Sequence, residues 1–231
     1  SKIFLLSIDM NKVKKDLQQI YNTISKEFSA SRVFPWEELE IFIPHIKDGD
    51  KILDLGCGNG RLIKALQESK KDFDYLGVDF SDGLIDRARE QFPDKKFELN
   101  DISKVDFEAN SFDTVFVIAT FHHLPSKKER QELLNKINIW LKPGGYLIMT
   151  NWNLWQRKYM KHYFKKFWLK KSWNDFFVSW QMYSGKSKKF WRYYHSFSTR
   201  ELESLLKKTG FKLKPKGVYK TKWNINCFVQ K

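Results

Sequence analysis

A glycine-rich turn follows the first strongly apolar segment of the chain. The sequence Lys51-Ile-Leu-Asp-Leu-Gly-Cys-Gly-Asn-Gly60 runs from a predicted strand through three alternate glycines into a predicted helix. Glycines at such a turn let the backbone approach a ligand closely. A dinucleotide fingerprint spaces its glycines G-x-G-x-x-G, whereas here the third glycine comes one residue earlier and Asp54 precedes the first. An acid at this position suits a ligand with an amino group and a sulfonium better than a pyrophosphate.

Two further acids follow at the ends of predicted strands. Asp79 comes nineteen residues after Gly60, where a carboxylate can accept both hydroxyls of a ribose. Asp101 ends the next strand and offers a carboxylate to an adenine amino group, with the backbone amide of Ile102 beside it for a ring nitrogen. Either acid could instead serve only as a turn residue. The predicted cofactor-binding residues are Asp54, Gly56, Gly58, Gly60, Asp79, Asp101 and Ile102.

A pair of histidines lies at the same predicted edge. The sequence Thr120-Phe-His-His-Leu124 follows an apolar strand, and parallel sheets bind ligands where the carboxyl ends of their strands meet. His122 and His123 could orient an acceptor group there. A capping or packing role is the alternative for either histidine.

Short apolar segments alternate with helical patterns through the first 150 residues. The predicted strands are 51–55, 73–78, 96–99, 114–119 and 146–150. The predicted helices between them are 59–68, 82–91 and 127–141. This order predicts a parallel sheet covered on both faces.

Further elements are predicted on both sides of this alternating region. Residues 11–29 carry apolar side chains at spacings of three and four, and a second helix is predicted from Pro35 to about Ile46. A capped helix is predicted from Ser198 to Gly210. A hairpin of strands 211–219 and 224–229 completes the chain.

The positive charge is concentrated in the last third of the sequence. Residues 151–231 carry 20 Lys and Arg against 3 Asp and Glu, whereas residues 1–150 carry 22 against 24. Within that part, residues 151–197 contain 17 aromatic and 11 basic residues. The net charge of +15 favours an acidic partner, which would be nucleic acid, an anionic membrane surface or an acidic protein.

Lysines and aromatic residues interleave at the start of this basic region. The lysines are Lys158, Lys161, Lys165, Lys166, Lys170 and Lys171. One face of such a segment would pack while the other would contact phosphate, with exposed rings able to stack on loop bases. The same pattern would suit an amphipathic helix on a membrane surface.

Other classes of site find no support in the sequence. Cys57 and Cys227 lie 170 positions apart and form neither a metal-ligand spacing nor a disulfide framework. No metal site is therefore predicted, and the cysteine usage favours a reducing, cytoplasmic location. No stretch approaches the roughly 20 apolar residues of a membrane span, so stable membrane insertion is not expected.

The order of these markers resembles the class I S-adenosylmethionine-dependent methyltransferases. Beside the glycine loop and Asp79, the chain has an acid before strand four, Asp113, and the turn Pro143-Gly144-Gly145 before strand five. The resemblance implies a Rossmann-like α/β fold with a seven-stranded sheet whose last strand is antiparallel. It also implies S-adenosylmethionine as cofactor and S-adenosylhomocysteine as product.

The resemblance implies one domain over residues 1–231, and this domain has four parts. Its parts are N-terminal helices (11–46), a cofactor-binding core (51–150), a basic, aromatic insertion between strands 5 and 6 (151–197), and a C-terminal helix with a hairpin (198–231).

Three separated segments are similar to a narrower family, the tRNA wobble-uridine methyltransferases. They are Tyr21 to Trp36, Phe121 to Leu124, and Trp191 to Phe197 followed by Glu201-Leu202. This resemblance implies esterification of 5-carboxymethyluridine in tRNA, a reaction helped in eukaryotic members by a small zinc-binding activator protein. The acceptor carboxylate is already ionised at neutral pH and needs no general base.

The same resemblance assigns residues to the acceptor side. Arg32, His122, Arg192 and His195 are expected to position the acceptor and screen its charge, and Trp36 to bind it. From the charge pattern of the insertion, Lys165, Lys166, Lys170 and Lys171 are expected to bind the tRNA backbone. Trp36 and the segment from Trp191 to His195 could instead belong to ordinary packing.

Two other functions remain open at this stage. The first is a small-molecule or lipid methyltransferase whose basic segment forms a lid or lies on a membrane surface. The second is a catalytically silent module that binds cofactor and RNA.

Overall fold

The computed structural model contains two sheets in the part of the chain that it describes. It describes residues 9–31, 39, 41–163, 170, 172–182, 188–213 and 217–231. The larger sheet has seven strands, which are β1 (Asp50–Leu55), β2 (Phe73–Asp79), β3 (Lys96–Leu99), β4 (Phe112–Ile118), β5 (Leu141–Trp152), β8 (Val218–Lys220) and β9 (Asn224–Gln230). The smaller sheet pairs β6 (Asp175–Gln181) with β7 (Lys189–His195).

The strand order confirms the predicted fold class. In the larger sheet the order is β3-β2-β1-β4-β5-β9-β8. The first five strands are parallel, whereas β9 runs antiparallel to β5 and β8 antiparallel to β9. The carboxyl ends of β1, β2, β4 and β5 therefore meet at one edge, with the order reversing between β1 and β4.

Helices cover both faces of the sheet. They are α1 (Met10–Ala30), α2 (Arg61–Glu68), α3 (Asp82–Gln91), α4 (Lys127–Trp140), α5 (Arg157–Tyr163) and α6 (Thr199–Lys208). The apolar sides of α4 and α6 pack on one face, whereas α2 packs on the other. As predicted, Ser198 caps α6, because its hydroxyl accepts a hydrogen bond from the Glu201 amide at 3.1 Å.

Helix α1 joins the core to the smaller sheet. Its apolar side is buried in a cluster that includes Leu84 of α3 and Phe177 and Tyr193 of the smaller sheet. The helix therefore lies above the carboxyl edge of the larger sheet, where it can contribute side chains to a site.

Two predictions about elements are wrong in the described part of the chain. Of the helix predicted from Pro35 to about Ile46, residues 35–38 and 40 lie outside the described residues, and residues 41–46 contain a 3-10 turn over Ile43–His45 in place of an α-helix. Pro44 has no amide hydrogen to donate within an α-helix. The first hairpin strand, predicted over 211–219, is reduced to Val218–Lys220 and a single bridge between Lys212 and Gln230.

The insertion contains elements that the charge pattern does not reveal. The short helix α5 is followed by the β6–β7 hairpin, whose seven residue pairs run from Asp175↔His195 to Gln181↔Lys189. In the part of the chain that the structure describes, no helix combines the length and the apolar character that crossing a bilayer requires.

Candidate active site

A deep cavity opens at the carboxyl edge of the parallel strands. It encloses ≈ 1230 Å³ of empty space, counting its solvent-open mouth. Its walls come from the loop after β1, the ends of β2, β4 and β5, helix α1 and strand β7. A concave site at the carboxyl ends of parallel strands is where open α/β sheets bind their ligands.

The three glycines of the loop after β1 have different surroundings. All three have positive φ, at +79° for Gly56, +55° for Gly58 and +77° for Gly60. A Cβ on Gly56 would overlap the side chain of Thr120, and one on Gly60 would lie 2.9 Å from the ring of Phe92. A Cβ on Gly58 would meet no atom within 4 Å, because this residue faces the open cavity. Gly56 and Gly58 line the cavity, and Gly60 lies outside its wall.

Two buried carboxyl groups lie beside this loop. Asp54 accepts a hydrogen bond from the Tyr75 hydroxyl at 2.8 Å, and burial raises the pKa of Asp54 to about 7. Asp79 accepts one from the Gly58 amide at 2.9 Å and one from the Ser81 amide at 2.9 Å. Burial raises the pKa of Asp79 to about 6. Neither carboxyl has an ion pair with a lysine or arginine of the described residues.

The third predicted acid, Asp101, lies on the same cavity wall together with Ile102. One of its carboxylate oxygens accepts hydrogen bonds from the amide and the hydroxyl of Ser103, both at 2.9 Å. Its other oxygen lies 3.5 Å from the ammonium of Lys14 on α1. Asp101 thus orders a turn and also presents an oxygen to the cavity.

This end of the cavity fits the cofactor that the sequence predicts. Asp54 and Asp79 face empty space without a cation, so a ligand ammonium and a ribose can supply the missing partners. Each oxygen of Asp79 accepts one amide and retains a lone pair for a hydroxyl. The open space above Gly58 lets the ligand approach the backbone.

At the other end of the cavity lies a buried arginine on β7. The Arg192 side chain is 2 % exposed, and its Nη1 donates a hydrogen bond to the Tyr21 hydroxyl at 3.2 Å. Among the described residues, its Nε has no hydrogen-bond partner, and no carboxylate forms an ion pair with the guanidinium. Arg192 is therefore a buried cation facing a cavity without an anion.

Aromatic rings surround this guanidinium. Its central carbon lies 5.0 Å from the ring centroid of Trp180, 5.4 Å from Tyr194 and 5.8 Å from both Trp152 and Tyr21. These rings exclude water while attracting the positive charge. An anionic group entering here would meet a desolvated cation, which strengthens their attraction.

The two histidines have defined and different hydrogen bonds. His122 Nδ1 accepts from the Trp152 amide at 3.1 Å, so the neutral ring carries its proton on Nε2. That Nε2 is buried and has no hydrogen-bond partner among the described residues. His123 Nδ1 lies 2.8 Å from the Tyr193 carbonyl and donates to it, which leaves Nε2 to accept from the Tyr21 hydroxyl at 2.9 Å.

Both histidines are held in the neutral form. Burial lowers the pKa of His122 well below its ordinary value, and the nearby His123 and Arg192 lower it further. Burial likewise lowers the pKa of His123 to about 3. His122 can thus donate a hydrogen bond from Nε2 to an acceptor in the cavity, but its low basicity makes it a poor general base.

Tyr21 is a site residue that sequence reasoning misses. Its hydroxyl accepts from Arg192 and donates to His123, so a side chain of α1 joins β7 to the turn after β4. Its spacing on α1 matches the apolar side, and that spacing indicates a core residue. The aromatic wall formed by Trp152 and Tyr194 is missed as well, since both lie in a segment rich in rings.

His195 lies away from the cavity wall. It is on β7 three residues after Arg192, and strand side chains alternate, so the two point to opposite faces. His195 Nδ1 lies 2.9 Å from Asp175 and Nε2 lies 2.8 Å from Glu201. Although burial opposes protonation, hydrogen bonds to these two carboxylates raise the pKa of His195. This arrangement ties the hairpin to the start of α6.

The other predicted acceptor residues divide into two groups. Arg32, Trp36, Lys165, Lys166 and Lys171 lie outside the described residues. Lys170 is described, and its ammonium lies 3.2 Å from the ring centroid of Tyr163. Burial lowers the pKa of Lys170 to about 8, which indicates packing against the hairpin.

No group of three or more metal-ligating side chains occurs among the residues that the structure describes.

Comparison with known proteins identifies the domain that builds this cavity. Residues 52–145 match the family model described as "Methyltransferase domain". A tRNA (carboxymethyluridine(34)-5-O)-methyltransferase from Mus musculus, ALKBH8, is 31% identical over 145 residues, which are 62% of this chain and 21% of the mouse protein. The enzyme of that name from Saccharomyces cerevisiae is 29% identical over 177 residues, or 77% and 60% of the two chains. The chain thus spans only part of these two relatives.

A relative of similar length and two solved structures extend the comparison. The tRNA (carboxymethyluridine(34)-5-O)-methyltransferase of Schizosaccharomyces pombe is 25% identical over 224 residues, covering 90% of this chain and 93% of the yeast protein. A SAM-dependent methyltransferase from Methanosarcina mazei superposes with a TM-score of 0.69 at 23% identity, over 83% and 96% of the chains.

The second solved structure is a methyltransferase from Haloferax volcanii in complex with the Trm112 methyltransferase activator. It has a TM-score of 0.62 at 20% identity, over 88% and 78% of the chains. At these identities both structures show the fold. Residues 52–145 therefore form a methyltransferase domain, and the sheet around them is that of a class I, S-adenosylmethionine-dependent methyltransferase.

Proposed function

We propose that this methyltransferase acts on tRNA and esterifies the carboxymethyl group of a modified wobble uridine. The observation that carries the proposal is Arg192, a buried cation that faces the cavity without a carboxylate partner. A carboxylate acceptor would supply that partner. The tRNA methyltransferases among the similar proteins support the choice of RNA as the molecule that carries it.

The chain's own residues account for the chemistry that such an acceptor requires. When bound, S-adenosylmethionine supplies a methyl group on a positively charged sulfur. A carboxylate is already nucleophilic at neutral pH, so the protein has to orient it rather than deprotonate it. The free Nε of Arg192 and the Nε2 proton of His122 are two donors that can hold one carboxylate oxygen and leave the other to react.

The neutral state of the histidines is consistent with this role. A protonated histidine beside Arg192 would add a second buried cation, whereas the lowered pKa of His122 leaves a neutral hydrogen-bond donor. His195, which lies away from the cavity, then contributes by holding β7 in place. Arg32 and Trp36 remain proposed acceptor residues from the family resemblance.

The test uses tRNA that carries 5-carboxymethyluridine, with the methyl ester measured by mass spectrometry of the nucleosides. Arg192→Met removes the charge and keeps much of the volume, so we expect a stable protein with unchanged S-adenosylmethionine affinity. Methyl transfer should fall by about a hundredfold or more, as for the loss of a buried charged contact. Arg200→Met, at an exposed arginine of α6, is the matched control. Undiminished transfer by Arg192→Met would contradict the proposal.

A second candidate shares the same observation. A small acid or phosphate ester could also occupy the position opposite Arg192, and a phosphoethanolamine N-methyltransferase from Haemonchus contortus has the same fold, with a TM-score of 0.55 at 22% identity. The two functions differ in the acceptor molecule. Methylation of small acids with no methylation of tRNA would select the small-molecule function.

Partner and location complete the proposal. We include an activator protein of the Trm112 kind as a partner, because the Haloferax volcanii neighbour is complexed with one. We also propose that the enzyme acts on tRNA in the cytoplasm. Co-expression with such a protein should raise the yield of active enzyme or its methyl transfer rate. Equal rates with and without it would remove the activator from the proposal.

A further inference from the structure

Two exposed tryptophans lie beside the acceptor end of the cavity. Most large apolar side chains of the described residues are buried, but Trp155 is 42% and Trp223 47% exposed. Lys158 places its ammonium 3.8 Å from the ring centroid of Trp223, and the Lys222 ammonium lies 4.7 Å from the same ring. We name Trp155, Lys158, Lys222 and Trp223 the tryptophan ledge.

We propose that the tryptophan ledge stacks against unpaired bases of the RNA loop that carries the acceptor nucleotide. The inference rests on the proposed function, which it deepens by assigning a surface to the RNA. Stacking on aromatic rings is a general way to bind single-stranded nucleic acid, because every base has a flat face. Lysines beside the rings would contact the phosphates of the same loop.

Backbone hydrogen bonds hold Trp223 of the ledge close to a residue of the cavity wall. Trp152, which lines the cavity, pairs with Asn224 across β5 and β9. The next amide, of Asn153, donates to the carbonyl of Trp223 at 2.9 Å. A base stacked on the ledge would therefore be near the nucleotide whose side chain reaches Arg192.

The ring of Trp155 is held by its neighbours although much of it is exposed. Its centroid lies 5.1 Å from that of Tyr163 and 5.2 Å from that of Phe176, the second at an interplanar angle of 86°. A ring that is already ordered loses little conformational entropy when a base stacks on it. Preorganisation of this kind favours a binding surface over a side chain that is exposed by chance.

The charge around the ledge favours nucleic acid. The sequence has no Asp or Glu between residues 153 and 174 and none after Glu203. Lys158 and Lys222 form no ion pair with a carboxylate of the described residues. Both ammonium groups lie over the Trp223 ring, so a stacking base would displace a lysine side chain from the ring toward phosphate. No carboxylate on these two segments would repel an RNA backbone.

The test compares two RNAs of equal length and charge, an anticodon stem-loop and a fully paired duplex. Trp155→Ala and Trp223→Ala should each weaken binding of the stem-loop by about fivefold to a hundredfold, the range for loss of one stacked base, and leave duplex binding unchanged. Trp223→Phe should retain most of the affinity, because a phenyl ring still stacks. Ile139→Ala, at an exposed apolar residue of α4, is the control for surface truncation.

Different outcomes separate the ledge from the proposed function. Unchanged S-adenosylmethionine affinity and melting temperature would show that each variant is folded. The stacking role of the ledge is refuted if both alanine variants bind the stem-loop as tightly as the parent does. It is also refuted if they lose affinity for the stem-loop and for the duplex equally, and either result holds even if the parent methylates tRNA. If they lose only binding to anionic vesicles, the surface binds membranes and the RNA ledge is refuted.

Methylation assays complete the separation. The alanine variants should lose efficiency on tRNA but not on free 5-carboxymethyluridine, since the nucleoside cannot reach the ledge. If the parent methylates neither substrate, the proposed function is refuted. If Trp223→Ala still weakens stem-loop binding in that case, the stacking role of the ledge is supported.

Discussion

Asp54 and Asp79 are carboxyl groups that the fold removes from water without providing a cation. Their pKa values of about 7 and about 6 in the fold lie above the ordinary range. Protonation therefore favours the folded, unliganded protein, and that stabilisation is lost as pH rises from the ordinary carboxyl value of 3.8 to about 6 for Asp79 and about 7 for Asp54. A ligand with an ammonium and hydroxyls restores favourable partners to the ionised groups.

This arrangement predicts a pH-dependent cofactor affinity. Between about pH 5.5 and pH 7, affinity for S-adenosylmethionine should rise by up to about tenfold per pH unit for each carboxyl that must lose its proton. Asp54→Asn should bind more weakly and show a flatter dependence. Calorimetry at a series of pH values measures both effects, and a flat profile in the parent would count against the assignment of these acids.

Asp79 gives a second prediction at the residue scale. Asp79→Ala should weaken S-adenosylmethionine binding by about 1 to 3 kcal/mol, the cost of losing hydrogen bonds to a charged group. Asp113→Ala is a suitable control, because Asp113 bonds the Lys51 amide at 2.9 Å and Lys142 at 2.7 Å away from the cavity. The control should change thermal stability and leave the cofactor affinity intact.

At the scale of elements, α1 connects the two ends of the site. Lys14 reaches Asp101 at the cofactor end, and Tyr21 reaches Arg192 and His123 at the acceptor end. Asp101 is a predicted adenine contact and Arg192 a proposed acceptor contact, so we expect α1 to couple the positions of the two substrates.

Tyr21→Phe tests this connection. The variant removes one hydroxyl that accepts from Arg192 and donates to His123, so kcat/KM for methyl transfer should fall by about tenfold to a hundredfold while the protein stays folded. S-adenosylmethionine affinity should change little. Thr23→Ala, on the exposed side of the same helix, should leave the kinetics unchanged. An equal effect of both substitutions would indicate that α1 acts only through its stability.

The sequence predicts some parts of this site better than others for physical reasons. Gly56, Gly58 and Asp79 lie on the cavity wall, because a strand, a tight turn and a helix constrain those positions closely, and their binding of the cofactor stays a prediction. Tyr21 is missed because its helical spacing is the same for a core residue and a site residue. The β6–β7 hairpin is missed because its rings, such as Phe176 and Phe177, do not alternate with polar residues.

The position of His195 follows from the same hairpin. Without a strand assignment, the segment Trp191 to His195 gives no reason to separate Arg192 from His195. The two-residue period of β7 separates them, because Arg192 and Tyr194 line the cavity whereas His195 does not. A strand prediction for this segment would therefore be enough to assign the two side chains to opposite faces.

At the scale of the whole molecule, the positive charge of residues 151–231 predicts a strong salt dependence of tRNA binding. Each phosphate neutralised should contribute roughly 0.7 to 0.9 log units of affinity per log unit of salt. Replacing Lys165, Lys166 and Lys171 by Gln should flatten that slope without changing the affinity for S-adenosylmethionine. Lys128→Gln, at an exposed lysine of α4, should have little effect. An unchanged slope in the triple variant would remove these lysines from the RNA surface.

The division of charge between the two parts of the chain also affects the rate of encounter. Residues 1–150 are close to neutral, whereas the insertion and the final hairpin carry the excess of lysine. A polyanion approaching within about a Debye length, roughly 8 Å at physiological ionic strength, is attracted to this excess of positive charge. If the acceptor is tRNA, as we propose, this attraction should steer it toward the C-terminal part of the chain, which contributes Trp152, Arg192 and Tyr194 to the cavity wall. Added salt should therefore slow association more than it speeds dissociation.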